Sequence, residues 1–83
     1  MAIHQLMKSD SAKKVVIQLC KELTEERKRQ GISQQRLSEL AGISRTGLRH
    51  IESLETNPTL YSLLKLAAAL GLSMDLLFKK VGY

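Results

Sequence analysis

The chain is short and basic, with few aromatic residues and a single cysteine. Its 83 residues carry a formal net charge of +5 and are 43% hydrophobic, which suffices for one core, and they contain no apolar run long enough to cross a membrane. The lone Cys20 excludes an internal disulfide framework and fits a reducing cytoplasm, whereas the excess of Lys and Arg favours a polyanionic partner.

The first predicted helix runs from Ser11 to Gln30, a stretch without a helix breaker. We expect Asp10 or Ser11 to cap its start and Gly31 to end it. Residues at helical spacing form one inward stripe, which ends in a charged residue: Val16, Leu19, Cys20, Leu23 and Arg27.

Two short helices follow in quick succession. Ser33 precedes the first, whose apolar residues are Leu37, Leu40 and Ala41. Ser44 caps the second, in which Leu48 and Ile51 are expected to face the core and Leu54 to continue that side.

Gly42 and Ile43 connect these two helices. Gly42 permits a sharp turn because glycine adopts left-handed dihedrals without steric cost, and Ile43 is expected to pack into the core and fix the crossing angle. This is the spacing of a helix-turn-helix, although a small helical bundle of another function could contain the same elements.

The last third predicts two further helices after a turn at Asn57 and Pro58. Thr59 caps the first of them, Gly71 ends it and Ser73 caps the second. The residues expected on the inner face of the fourth helix are Leu60, Leu63, Leu64, Ala67 and Leu70. The fold class is therefore all-α with five helices.

We expect residues 1–11 to form a flexible N-terminal arm, residues 12–80 to form the domain, and residues 81–83 to be a frayed C-terminus.

The segments "RKRQGISQQRLSELAGISRTGLRHIE" and "NPTLYSLLKLAAALGLSMDLLF" resemble the Cro/C1-type (XRE-family) helix-turn-helix regulators, which include phage repressors. The resemblance covers roughly residues 19–78. It implies a five-helix, lambda-repressor-like domain that binds double-stranded DNA and usually works as a homodimer on a palindromic operator.

The resemblance also assigns roles to single residues. Gln34, at the start of the second helix, matches a Gln that contacts a DNA phosphate, and Ser44 matches a cap that can also touch phosphate. The outward positions of the third helix, which contacts base edges in the major groove, are Arg45, Thr46, Arg49 and His50. Their chemistry agrees, because Arg can donate two hydrogen bonds to guanine, Thr offers a hydroxyl and a methyl group, and His can donate or accept.

Two further roles follow from the resemblance. Arg27 and Glu52 match a pair that joins the first and third helices, so we expect a structural ion pair. The apolar end of the chain matches a dimer interface, for which the candidates are Leu72, Met74, Leu77 and Phe78. These last residues could instead simply close the bundle.

The sequence departs from the family pattern at three positions. Leu54 stands where many relatives have Gly, and Glu55 places a negative charge where phosphate would approach. Gly47 lies inside the third helix, where it either permits close approach to DNA or is a tolerated defect.

Enzymatic activity is not expected, because the two histidines and serines show no nucleophile–base arrangement. His4, His50 and Cys20 are too few and too scattered for zinc, so neither a metal nor a cofactor is expected. The leading hypothesis is a cytoplasmic, sequence-specific repressor without a membrane partner. The alternatives are an antitoxin that also binds a toxin or other protein, and a protein-interaction module without DNA binding.

Overall fold

A computed structural model describes residues 9–82 of the chain. It contains five helices: α1 (Ser9–Arg29), α2 (Gln34–Ala41), α3 (Arg45–Glu52), α4 (Leu60–Ala69) and α5 (Met74–Lys80). The predicted all-α, five-helix fold is therefore confirmed. Most of the predicted N-terminal arm, residues 1–8, lies outside the described residues, as does Tyr83.

Hydroxyl side chains begin four of the five helices, as predicted. Each accepts a hydrogen bond from a backbone N–H of the first turn, which has no acceptor within the helix. The donors and caps are Arg36 on Ser33, Gly47 on Ser44, Ser62 on Thr59 and Leu76 on Ser73.

The predicted start of α1 is wrong, because Ser9 is already helical and both Asp10 and Ser11 lie inside the helix. Short polar residues are compatible with a first helical turn, so this composition does not mark a unique starting residue.

Four helices end at a residue in the left-handed conformation. Gly31, Gly42 and Gly71 have φ values of 69°, 70° and 75°, as expected of glycine after a helix, but α3 ends with Leu54 at φ 64°. In each case the next residue donates its N–H to a carbonyl five residues earlier, for example Ile43 to Ser38 and Glu55 to His50. The same turn is thus built from glycine three times and from leucine once.

The core is formed by leucines with Cys20, Ile51 and small residues. Its buried apolar members are Leu19, Cys20, Leu23, Leu37, Ala41, Leu48, Ile51, Leu63, Leu66, Ala67, Leu70 and Leu77. Burial raises the pKa of the Cys20 thiol, which favours its neutral form and fits a core residue.

Some predicted core positions are wrong. Leu54, Leu60 and Leu64 are exposed, whereas Leu66 and Ser38 are buried. The sequence of α4 is apolar on several sides, so its spacing does not determine which face turns inward.

The helices α1 and α4 frame the domain around the two short helices. Helix α1 packs against α3, α4 and α5, and α2 packs against α3 and α4. Among residues 9–82 no single helix is long and apolar enough to span a membrane; α4 and α5 together pass that test of length and composition, although they are bent by 97° to each other.

Candidate nucleic-acid interface

The turn between α2 and α3 is stabilised by packing against the core and by a side chain of α4. Ile43 is half-buried and packs against the core, as predicted, while Ser44 caps α3. On the outer side, the Lys65 ammonium of α4 donates to the Gly42 carbonyl at 3.1 Å and lies 4.6 Å from the centre of the Tyr61 ring. These contacts connect the turn to α4 through both apolar packing and a charged hydrogen bond.

Helix α3 has one buried face and one exposed face. Leu48 and Ile51 are buried in the core. The side chains of Arg45, Thr46, Arg49 and His50 are exposed, so the structure brings all four predicted base-contacting residues to the solvent side of the same helix.

Gly47 lies directly beside the cap of α3. A Cβ atom at this position would lie 2.9 Å from the Ser44 Oγ, closer than the two atoms can approach without a shift. That Oγ accepts the Gly47 N–H at 2.9 Å. The hydroxyl is the end of a rotatable side chain, and the equivalent positions of α2, α4 and α5 carry Arg36, Ser62 and Leu76, so the cap alone does not require glycine at position 47.

Arg27 and Glu52 form a bidentate ion pair between α1 and α3. The Arg27 Nε and Nη2 atoms lie 2.6 Å and 2.9 Å from the two Glu52 carboxylate oxygens, and only 13% and 8% of the respective side chains are exposed. Arg27 also donates to the Ile32 carbonyl at 2.8 Å. The pair therefore ties the last turn of α3 to the end of α1 with near-complete satisfaction of its polar atoms.

Gln34 contacts this pair. Its Nε2 donates to Glu52 Oε1 at 2.9 Å, so the residue expected to bind phosphate is engaged with the ion pair in the structure. An open groove beside it is lined by residues of α1, α2, α3 and the segment after α3. They include the cations Arg27, Lys28 and Arg49 and the anions Glu52 and Glu55.

The segment after α3 adds negative charge to this face. The Glu55 Oε2 lies 3.7 Å from the His50 Nε2, and both side chains are exposed. Leu54, which replaces the glycine of many relatives, still adopts the left-handed conformation that glycine favours.

Gln35 forms two side-chain contacts that were not predicted from the sequence. Its Oε1 accepts a hydrogen bond from the Arg45 Nη1 at 3.3 Å, and its Nε2 donates to Glu39 Oε2 at 3.3 Å. The spacing of Gln35 and Glu39 within one helix is visible in the sequence, but the contact with Arg45 depends on how α2 and α3 cross.

The candidate dimer residues differ in exposure. Leu77 has 0% exposure and lies wholly in the core of its own chain, whereas Leu72, Met74 and Phe78 are half-buried and pack against that core. Leu76, which is outside the predicted set, is 45% exposed. The exposed apolar surface at this end of the chain thus comprises Leu76 and parts of the half-buried residues.

No group of three or more His, Cys, Asp or Glu side chains in residues 9–82 is arranged to hold a metal ion.

The fold and the exposed face of α3 define a helix-turn-helix protein, and residues 23–77 match the helix-turn-helix family. The chain belongs to this family, and the resemblance to its Cro/C1-type members is confirmed.

Among its relatives are an HTH-type transcriptional regulator of Haemophilus influenzae, 42% identical over 72% of this chain, and the HTH-type transcriptional regulator PuuR of Escherichia coli, 37% identical over 72% of this chain. The matches span 61% and 32% of those two proteins.

Two solved structures share the fold. The restriction-modification controller protein C.AhdI from Aeromonas hydrophila is 33% identical, with a TM-score of 0.69 over 76% of this chain and 96% of that chain. A point mutant of the restriction-modification controller protein C.Esp1396I has a TM-score of 0.75 at 23% identity, over 80% of this chain and 86% of that chain.

Proposed function

We propose that the chain is a sequence-specific, DNA-binding transcriptional repressor of the cytoplasm that inserts α3 into the major groove. The observation that carries this proposal is the two-sided character of α3. Leu48 and Ile51 anchor the helix in the core, while two arginines, a threonine and a histidine project from its other side. Residues of these types, on a helix of this width, suit the hydrogen-bonding pattern of the major groove.

The two predicted phosphate contacts fit this proposal in different ways. Ser44 and the free N–H groups of the first turn of α3 form a favourable site for an anion. Gln34 would first have to leave Glu52, or else hold that carboxylate away from the DNA while the N-terminus of α2 meets the phosphate.

We further propose that two copies bind a palindromic operator through α5. A two-fold dimer can place two recognition helices about 34 Å apart, which is one turn of DNA. The exposed Leu76, with the half-buried Leu72, Met74 and Phe78 beside it, offers an apolar surface for this contact. Occupancy of an operator that overlaps a promoter requires DNA binding alone, so repression is the proposed regulatory mode.

Control of restriction–modification genes is a second candidate. It is favoured by the 33% identity to the controller protein C.AhdI, because the match extends over 96% of that relative. A selected binding site that lies upstream of a neighbouring restriction or methylase gene would support this candidate.

The test is selection of bound duplexes from a random DNA library, followed by sequencing. We expect a palindromic consensus from the wild-type protein and loss of preference at specific base pairs for Arg45→Ala and Arg49→Ala. Circular dichroism controls for folding, and sedimentation measures the dimer. Because a protein that neutralises phosphates binds less tightly as salt rises, affinity should fall steeply between about 50 and 200 mM salt.

Absence of any enriched sequence from folded protein at low salt would contradict DNA binding. It would favour the protein-interaction module, and a co-purified protein encoded by a neighbouring gene would favour the antitoxin.

A further inference from the structure

The Arg45 guanidinium lies at the first residue of α3, an unfavourable place for a positive charge. The free N–H groups of a helix N-terminus carry a partial positive charge, and no acidic side chain lies in the first turn of α3. Arg45 is also exposed, so its long side chain has several conformations available. A defined position of its charged end therefore needs a partner outside α3.

The partner is the side-chain amide of Gln35 on α2. The Gln35 Oε1 accepts from Arg45 Nη1 at 3.3 Å, and the Gln35 Nε2 donates to Glu39 Oε2 at 3.3 Å. Glu39 and Arg45 together fix the orientation of the amide, because the guanidinium only donates hydrogen bonds. An ionised carboxylate only accepts hydrogen bonds, so it holds the NH2 group of Gln35 toward itself and turns the oxygen toward the guanidinium.

The contacts of Arg45 and of Glu39 are both compatible with DNA binding. A guanidinium has five N–H donors, so Arg45 retains others for a base after one is given to Gln35. The contact restricts the guanidinium to the side of α3 that faces α2, which lowers the ordering required when a base is bound. Glu39 itself is paired with Arg36, at 3.6 Å between Nη1 and Oε1, which partly balances its negative charge.

We propose that Gln35 is a positioning residue that sets the base preference of Arg45, with Glu39 orienting the Gln35 amide. This inference rests on the proposed function, because it concerns how one side chain of α3 is aimed at the DNA. The predicted consequence is local: Gln35 governs the base pair that Arg45 reads and no other.

The experiment selects DNA with wild-type protein, Arg45→Ala, Gln35→Met and the double variant. Methionine keeps the length and helix preference of glutamine but removes both polar ends. We expect Gln35→Met to lower the preference for the favoured base about three- to tenfold at the base pair affected by Arg45→Ala. The double variant should select the same sequences as Arg45→Ala alone, because Gln35 acts only through that arginine.

Two further variants sharpen the result. Gln18→Met alters an exposed glutamine on α1 and should leave the selected sequence unchanged. Glu39→Gln keeps the shape of the side chain but removes the charged acceptor of the Gln35 Nε2, so it should weaken the same base preference by less than Gln35→Met does. Thermal unfolding of each variant controls for stability.

The inference is overturned if Gln35→Met keeps the wild-type base preference, or weakens all sequences alike as loss of a phosphate contact would. It is also overturned if Gln35→Met has its full effect in the Arg45→Ala background. A wild-type protein that selects no sequence would overturn the proposed function itself, and the inference with it.

Discussion

The ends of α2 and α3 have the same backbone turn but opposite side chains. At the end of α2, Gly42 takes the left-handed conformation and Ile43 packs against the core. At the end of α3, Leu54 takes that conformation and Glu55 is exposed. The second residue of each turn donates its N–H to the carbonyl five residues earlier, at 3.1 Å for Ile43 and 2.9 Å for Glu55.

The difference shows two ways of fixing a helix. The end of α2 is fixed by the residues that follow it, through the conformational freedom of glycine and the burial of isoleucine. The end of α3 is fixed from another helix, because Arg27 holds Glu52 in its last turn. The residues directly after α3 are exposed, and one of them, Glu55, carries a charge on the candidate DNA-binding face.

The largest effect is expected from removing the Arg27–Glu52 ion pair. This pair fixes the end of α3, whereas apolar packing fixes the end of α2. Arg27→Ala leaves Glu52 nearly buried without its cation, so we expect the free energy of unfolding to fall by about 3 kcal/mol. Urea unfolding measures this loss. A double change of Arg27→Met and Glu52→Leu should recover much of it, whereas a loss below about 1 kcal/mol in Arg27→Ala would show that the pair does not fix the helix.

A smaller effect is expected at the glycine turn. Gly42→Ala should lower the free energy of unfolding by about 1–2 kcal/mol, because alanine is strained at φ 70°. No heavy atom lies within 4 Å of the added Cβ, so the loss comes from backbone conformation alone. Thermal unfolding is the measurement, and Gly42→Asn should be milder because asparagine tolerates this conformation better. Equal losses for the two variants would contradict the backbone explanation.

At Leu54 we expect glycine to destabilise the protein less than alanine does, although glycine is usually the more destabilising of the two. Leu54→Gly and Leu54→Ala both remove an exposed side chain, but only glycine relieves the left-handed strain at φ 64°. We expect Leu54→Gly to be more stable than Leu54→Ala by about 1 kcal/mol. Chemical unfolding of the two variants side by side tests this, and a more stable alanine variant would mean that Leu54 is unstrained.

The smallest effect is expected from the charge after α3. Glu55→Gln removes a carboxylate 3.7 Å from His50, so DNA should bind about two- to fivefold more tightly at low salt. A titration of labelled operator DNA measures the change. Glu25→Gln, on an exposed position of α1, is the matched control for net charge. An equal gain from both variants would assign the effect to overall charge.

Most boundaries of the helices, although not the start of α1, were predictable because they depend on local chemistry. Ser33, Ser44, Thr59 and Ser73 each satisfy the backbone N–H three residues further on, and that requirement can be read from the chain itself. Gly31, Gly42 and Gly71 likewise end helices where the sequence predicts an end.

The orientation of the helices was less predictable because it depends on distant residues. Leu60 is 65% exposed and Leu66 is buried, although both are leucines of one apolar helix. Which one turns inward is decided by the packing of α1 and α2 against α4. The contacts of Gln34 with Glu52 and of Gln35 with Arg45 were missed for the same reason, since each joins two helices across a crossing angle.

In the proposed complex, the shortness of α3 limits how much of the DNA sequence one copy can recognise. Eight residues make a helix about 12 Å long, and the four outward side chains that we propose as base contacts would read about four base pairs. A given four-base-pair sequence recurs about once in 256 base pairs, whereas two such half-sites at a fixed spacing recur about once in 65,000. A genome offers about a million or more competing sites. The proposed pairing of two copies therefore makes the binding sequence much less frequent by chance. Any further discrimination has to come from the shape of the DNA between the half-sites.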